Sequence, residues 1–148
     1  FYQKFLNTKQ GWVEDNIAAC GKAADCFLAL NSPEKHLEYI YKSFDYDTPR
    51  AEFCCRLGFY YLQKNLLKQA VFWYKIASEL EKPADCWGMM NHACWTWLPH
   101  LQLCVCYDRL GKYDLACKHN ELAADFVPDH SGILYNRNYF KNLFNKTI

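Results

Sequence analysis

The sequence predicts an all-α fold, a row of helix–turn–helix units, on three observations. Apolar residues recur every three or four positions along most of the chain, a set of residues repeats at a spacing of 34, and a proline closes each repeat at the same position. The clearest copy is residues 51–83, where Leu57-Gly58-Phe59-Tyr60-Tyr61 is followed by Ala70, Tyr74, Ala77 and Pro83. Two antiparallel helices approach closely only where small side chains meet. Gly58, Ala70 and Ala77 are expected to supply those contacts while Leu57, Tyr61 and Tyr74 fill the space between them. One such hairpin cannot bury its own apolar face, so copies must stack.

Composition suits a stacked array. Half of the 148 residues are apolar (51%) and 18% are aromatic, unlike the low hydrophobicity and high net charge of disordered chains. No stretch approaches the roughly 18 unbroken apolar residues of a membrane helix. A formal charge of +1, from 17 basic and 16 acidic residues without a block of like charge, excludes the electrostatic footprint of a nucleic-acid or anionic-membrane binder. Nine cysteines are an odd number, and Cys20, Cys54, Cys104 and Cys117 fall within the helical apolar pattern. That favours small hydrophobes in a reducing cytoplasm over a secreted disulfide framework. The chain opens Phe1-Tyr2-Gln3-Lys4-Phe5, with no initiator Met or signal peptide, and is expected to be a fragment of a longer protein.

Residues 1–10 are short, but Phe1, Phe5 and Leu6 fit the end of an upstream helix. From Trp12 a stripe of Val13, Ile17, Cys20, Ala24 and Phe27 predicts a helix ending near Asn31-Ser32-Pro33, and Leu37, Ile40, Tyr41 and Phe44 predict a second that stops before Thr48-Pro49. At an offset of 34, Ala24 falls on Gly58, Phe27 on Tyr61, Asn31 on Asn65, Ser43 on Ala77 and Pro49 on Pro83, so residues 17–50 form a first unit before the second at 51–84. His36 occupies the place of Ala70, which predicts a wider helix crossing or a partly exposed imidazole. The third unit, 97–130, lies 46 residues beyond the second: Leu103-Cys104-Val105-Cys106-Tyr107 matches Leu57 to Tyr61, Gly111-Lys112-Tyr113 makes the turn, Ala116 and Ala123 are the small contacts and Pro128 closes it. The extra residues form an insertion at about 85–96, and Pro99 suits the first turn of the next helix. Residues 131–144 predict a half-polar capping helix, with Ile133, Phe140, Leu143 and Phe144 opposite Arg137 and Lys141.

Over about 115 residues this pattern of turns, small-residue sites and prolines resembles the tetratricopeptide repeat family. The resemblance implies a right-handed α-α superhelix of about three units with a C-terminal capping helix. The stretches Thr48-Pro49-Arg50-Ala51-Glu52-Phe53-Cys54-Cys55-Arg56-Leu57-Gly58 and His100-Leu101-Gln102-Leu103-Cys104-Val105-Cys106-Tyr107-Asp108-Arg109-Leu110-Gly111 further resemble the repeat region that follows the catalytic domain of some bacterial family 2 glycosyltransferases. That implies a parent enzyme transferring sugar from a nucleotide donor, with this segment as its noncatalytic accessory. Asp45-Tyr46-Asp47 spells the metal-holding Asp-x-Asp of such transferases, but it ends a repeat helix instead of following a strand of an α/β domain and reads as a solvated helix end. No Gly-rich phosphate loop or dinucleotide fingerprint is present, so no catalytic residue, cofactor or resident metal is expected.

Recognition is the function left. In a stacked array the first helix of each unit lines the concave face, and the repeat frame places there Lys22, Asp25 and Leu28, then Glu52, Arg56, Phe59 and Gln63, then Leu98, Gln102, Val105 and Arg109. The family's carboxylate clamp of Lys, Asn and Arg is replaced at the matching positions by Gly21, Asp25, Arg56, Leu98 and Gln102, which argues against that ligand. The insertion offers Trp87, Trp95 and Trp97 with Met89 and Met90, either as a second binding surface, including one for sugar rings, or as cover for the gap between units. The expected partners are a protein or peptide, the catalytic domain of the same chain, or a second copy in a homodimer. A zinc-stabilised domain is the alternative, because His92, Cys94, His100, Cys104 and Cys106 are closely spaced and His100 and Cys104 lie one helical turn apart. Cys54-Cys55 are neighbours on a helix pointing about 100° apart and read as packing residues.

Overall fold

Three tight turns set the architecture. In the computed structural model, which describes residues 1–8, 12–84 and 90–146, helix α2 (Val13–Ala29) turns into α3 (Pro33–Lys42), α4 (Ala51–Gln63) into α5 (Leu67–Glu79), and α6 (Leu98–Arg109) into α7 (Tyr113–Ala124). Each first helix ends on a residue with positive φ: Asn31 at 56°, Asn65 at 57° and Gly111 at 75°. Two residues with short polar side chains and one glycine are the types that tolerate this region. Each turn is closed by the same pair of hydrogen bonds. The N–H groups of Ser32, Leu66 and Lys112 donate to the carbonyls of Phe27, Tyr61 and Tyr107, all at 2.9 Å, and those of Asn31, Asn65 and Gly111 donate to Leu28, Leu62 and Asp108 at 3.1, 2.9 and 3.0 Å. These are Schellman caps, and they fall on the spacings of 34 and 46 read from the sequence.

Packing inside each pair follows the small residues. Ala24, Gly58 and Cys104 are buried on the first helices, and Ala70, Ala77, Ala116 and Ala123 on the second helices of units two and three. Gly58 lies so close to the Tyr74 ring that a Cβ built on it would stand 2.7 Å from two ring carbons. In the first pair His36 takes the place of that small contact and is 1% exposed. The expectation of a partly exposed imidazole is therefore wrong: the ring is buried, and its Nδ1 lies 2.7 Å from the carbonyl oxygen of Ala24. The hydrogen bond offsets the cost of burying a polar ring opposite a small residue.

Two ends complete the stack. Helix α1 (Tyr2–Thr8) buries Leu6 in the cluster that holds Ile17, Cys20, Ala24 and Ile40. Helix α8 (Ser131–Asn145) buries Ile133 and Phe140 and pairs Arg137 with Glu121 at 2.7 Å. Inside that contact the Asn120 amide donates to the carbonyl of Ile133 at 3.1 Å and accepts from Asn136 at 3.1 Å. Helix α4 joins the parts: Phe53 and Leu57 belong to the cluster of α1–α3, while Ala51, Cys54, Cys55 and Leu62 belong to the one that runs through α5, α6 and α7. After α5 the chain reaches a 3-10 turn, His92–Trp95, that packs against α4, α5 and α6. The described residues contain helices and no strand, and none of those helices is long and apolar enough to cross a membrane.

Candidate functional site

A cleft runs along α2 and α4, with residues between 90 and 98 on another side and His36 of α3, Tyr74 of α5 and Gln102 of α6 lining one end. It comprises two adjoining cavities of about 390 and 370 Å³, which share Asp25, Glu52, Arg56 and Asn91. The helical register explains this: Lys22 and Asp25 on α2 fall beside Arg56 and Glu52 on α4, because positions three and four apart share a face. Gly21 leaves room for the Arg56 guanidinium, whose Nη2 would be 3.2 Å from a Cβ there. Arg56 is fixed from two sides. Its Nε and Nη2 donate to the two oxygens of Asp25, each at 2.9 Å, and its guanidinium carbon lies 5.0 Å from the centre of the Phe53 ring. Burial is the largest single influence and disfavours its charge, but the bond to Asp25 together with the negative charge of Asp25 and its neighbours outweighs it and holds the pKa above the ordinary value.

A second ion cluster braces one end. Arg50, just before α4, donates through Nη1 and Nη2 to both oxygens of Glu14 on α2, each at 2.6 Å, and through Nε and Nη2 to Asp47 at 3.2 and 3.0 Å. Asp47 also accepts from the Thr48 N–H at 2.8 Å, and the bond to Arg50 foremost holds its carboxyl below the usual carboxylate range. The Asp45-Tyr46-Asp47 stretch thus supplies a brace for α4, with one of its carboxylates already engaged.

Glu52 stands between the two cavities. Its Oε2 accepts a hydrogen bond from the Trp95 indole N–H, and burial raises its carboxyl pKa although the indole and the charges of Arg56 and Arg50 partly oppose the shift. Behind it lie Cys55 and Cys94, both buried; the Cys55 thiol reaches the Cys94 carbonyl oxygen at 4.0 Å. The closeness of the Cys94 thiol, with burial, pushes the Cys55 pKa up, and the same closeness pulls that of Cys94 down. His36 completes the second cavity. Because the Ala24 carbonyl can only accept, Nδ1 carries a proton and donates to it. Nε2 is buried without a hydrogen-bond partner among the described residues.

Comparison of the chain with protein-family models, curated proteins and solved structures finds no match. What the site can do is therefore argued from its residues.

Of the positions read from the repeat, the cleft brings together Lys22, Asp25, Glu52, Arg56, Phe59 and Gln102, with Leu28 and Leu98. Gln63, Val105 and Arg109 do not line either cavity; Gln63 and Arg109 are exposed further along their helices and Val105 is half-buried against the main core. Trp87 and Met89 lie outside the described residues. Trp95 is turned inward to Glu52, and Trp97 packs against His130 with ring centres 5.0 Å apart, beside Leu101 and Val127. Both indoles are half-buried, Trp95 against α4 and Trp97 beside residues of α6, α7 and the start of α8. The zinc candidates disperse: His100 pairs with His119, Nδ1 to Nδ1 at 3.0 Å, while Cys104 lies 3.8 Å from the Asn136 amide and Cys94 faces Cys55. Burial lowers the pKa of both histidines, that of His119 to about 4 with further repulsion from His100. Among the described residues no group of three or more His, Cys, Asp and Glu is placed to hold a metal ion.

Sequence reasoning missed Glu14, Arg50, His36, Asn91 and Cys94. For His36 a signal existed, since a histidine at a small-contact position must either be expelled or find a backbone acceptor. In the sequence Cys94 reads only as a metal-ligand candidate and Asn91 not at all, because the insertion has no period from which a face can be assigned.

Proposed function

We propose that this chain is a noncatalytic tetratricopeptide-repeat scaffold that recognises an extended protein or peptide segment in the cleft along α2 and α4. In this reading it is the C-terminal accessory region of a bacterial family 2 glycosyltransferase and acts on the acceptor or on the catalytic domain of the same chain. The observation that carries the reading is the assembly of Asp25, Glu52, Arg56, Phe59 and Gln102, from three different helices, around one cleft of peptide-accepting size. Three Schellman turns of the same form, the first two 34 residues apart, support the family assignment. Phe59 is 41% exposed at the cleft edge beside the ordered Arg56, a combination of aromatic and guanidinium typical of residues that dominate binding energy.

The test is affinity capture with the folded chain as bait. Replacing Arg56 and Phe59 together by Ala is expected to lose the specific partners, while replacing Phe72, an exposed aromatic on α5 outside the cleft, leaves them bound. Capture unchanged by the cleft pair, with folding intact, would remove the cleft from consideration. For the parent enzyme, the gene upstream of Phe1 must encode a nucleotide-sugar transferase domain; a reading frame without one ends that part.

A further inference from the structure

Two contacts in register hold the junction between α4 and the 3-10 turn. On α4, Glu52 and Cys55 lie three residues apart and so share a face, and their partners on the turn are the neighbours Trp95 and Cys94. The Trp95 indole N–H donates to Glu52, and beside it the Cys55 thiol points at the Cys94 carbonyl oxygen, 4.0 Å away. The two thiols are close enough for each to alter the ionisation of the other. Cys55 is 6% exposed and Cys94 4%, and both line the cavity of about 370 Å³, which gives a molecule as small as hydrogen peroxide a route to their sulfurs. In sequence they stand 39 positions apart. A bond between them would close a loop that contains all of α5.

From this pairing we infer that Cys55 and Cys94 are a reversible redox site, at which hydrogen peroxide joins them in a disulfide that fastens the 3-10 turn to α4 and fixes that wall of the cleft. Cys94 is the attacking group, because the closeness of Cys55 pulls its pKa below the ordinary thiol value while that of Cys55 is raised. Its thiolate attacks one oxygen of the peroxide. The O–O bond breaks, and the hydroxide that leaves takes up the proton released by the Cys94 thiol, so that a sulfenic acid and one water result. The Cys55 sulfur then attacks the Cys94 sulfur: the S–S bond forms, the S–O bond breaks, and a second hydroxide leaves as water with the Cys55 proton. Two thiols are oxidised by two electrons and the peroxide is reduced to two waters. A dithiol reductant reverses the bond by exchange.

The experiment treats the folded chain with hydrogen peroxide at the dose that just oxidises Cys26, the exposed thiol, then alkylates it, digests it without reduction and maps the products by mass spectrometry. A peptide pair joined through Cys55 and Cys94 is expected, with both thiols restored by dithiothreitol. The oxidised chain should melt about 5–10 °C above the dithiothreitol-treated one, as cross-linking a loop of this length implies. In Cys55→Ser that rise should vanish, and dimedone should trap Cys94 as its sulfenic acid. Cys55 and Cys94 both found alkylated after Cys26 has been oxidised, or bonded to other cysteines, would overturn the inference on the natural chain, whether or not the variant folds. A Cys55–Cys94 bond that leaves the melt unchanged would overturn its fastening role.

Discussion

Replacing Gly58 by Ala sets two effects of opposite sign against each other. Gly58 lies inside α4, where alanine is the better helix former by about 1 kcal/mol, so backbone propensity alone predicts a more stable protein. Against this, the new methyl would stand 2.7 Å from the Tyr74 ring, and ordinary contact begins at 3.4 Å, so ring or helix must move by about 0.7 Å. Tyr74 is 1% exposed and packed among core residues of α4 to α7. Overpacking of a filled core costs about 1–3 kcal/mol, and a rigid ring facing the helix backbone belongs in the upper half of that range. The expected net result is a loss of about 1–2 kcal/mol, or a fall in Tm of about 2 to 8 °C. Urea unfolding of Gly58→Ala, in the natural and in a Tyr74→Leu background, measures both terms. With the smaller leucine opposite, Gly58→Ala should become neutral or stabilising, a coupling of about 1–3 kcal/mol. A Gly58→Ala protein that is more stable than the parent by the propensity term would refute the close approach of α4 and α5.

The turns give a simpler comparison: Asn65→Gly, at φ 57°, should be neutral or slightly stabilising, while Asn65→Ala should lose about 1 kcal/mol by urea unfolding. Arg50→Met leaves the Glu14 carboxylate, whose side chain is 11% exposed, without its bidentate partner and should cost about 3 kcal/mol; adding Glu14→Met should recover part of that loss. Asp47 and Glu52 have opposite pH signatures. The depressed pKa of Asp47 stabilises the fold above its unfolded value of 3.8, and that contribution is lost as pH falls through the folded pKa. The raised pKa of Glu52 works the other way: its penalty appears as pH rises from the unfolded value of 4.5 through the folded pKa. Glu52→Gln should therefore be as stable as the parent or more so at pH 7, with the difference shrinking towards pH 4 in parallel melts.

Much of the helical frame is legible in the chain because it rests on local rules. Spacing by three and four marks the buried stripes, and the offset of 34, then 46, aligns Asn31, Asn65 and Gly111, which the structure places at the same left-handed cap. Gly58 is legible as a small-contact position and Tyr74 as a residue filling the space between the helices, but that the Gly58 backbone faces the Tyr74 ring is seen only in the fold. What escapes such reading depends on contacts between distant segments. Arg50 looks like any charged residue before a helix, and only the fold brings Glu14, 36 residues away, to its guanidinium. The amide pair of Asn120 and Asn136, which fastens α8, reads in the sequence as two ordinary polar positions. The cleft was half visible: the register puts Lys22, Asp25, Glu52 and Arg56 on matching faces, but its closing wall comes from an insertion without period. His36 shows the limit of a size rule, since a polar ring at a position meant for alanine is accommodated by one backbone carbonyl.

Site-specific photocrosslinking tests most directly whether the cleft is the working surface. With benzoylphenylalanine in place of Phe59 at the cleft edge, irradiation should join the chain to its partner segment, and the same probe in place of Phe72 on α5 should not. Crosslinks from position 72 with none from position 59 would contradict the account.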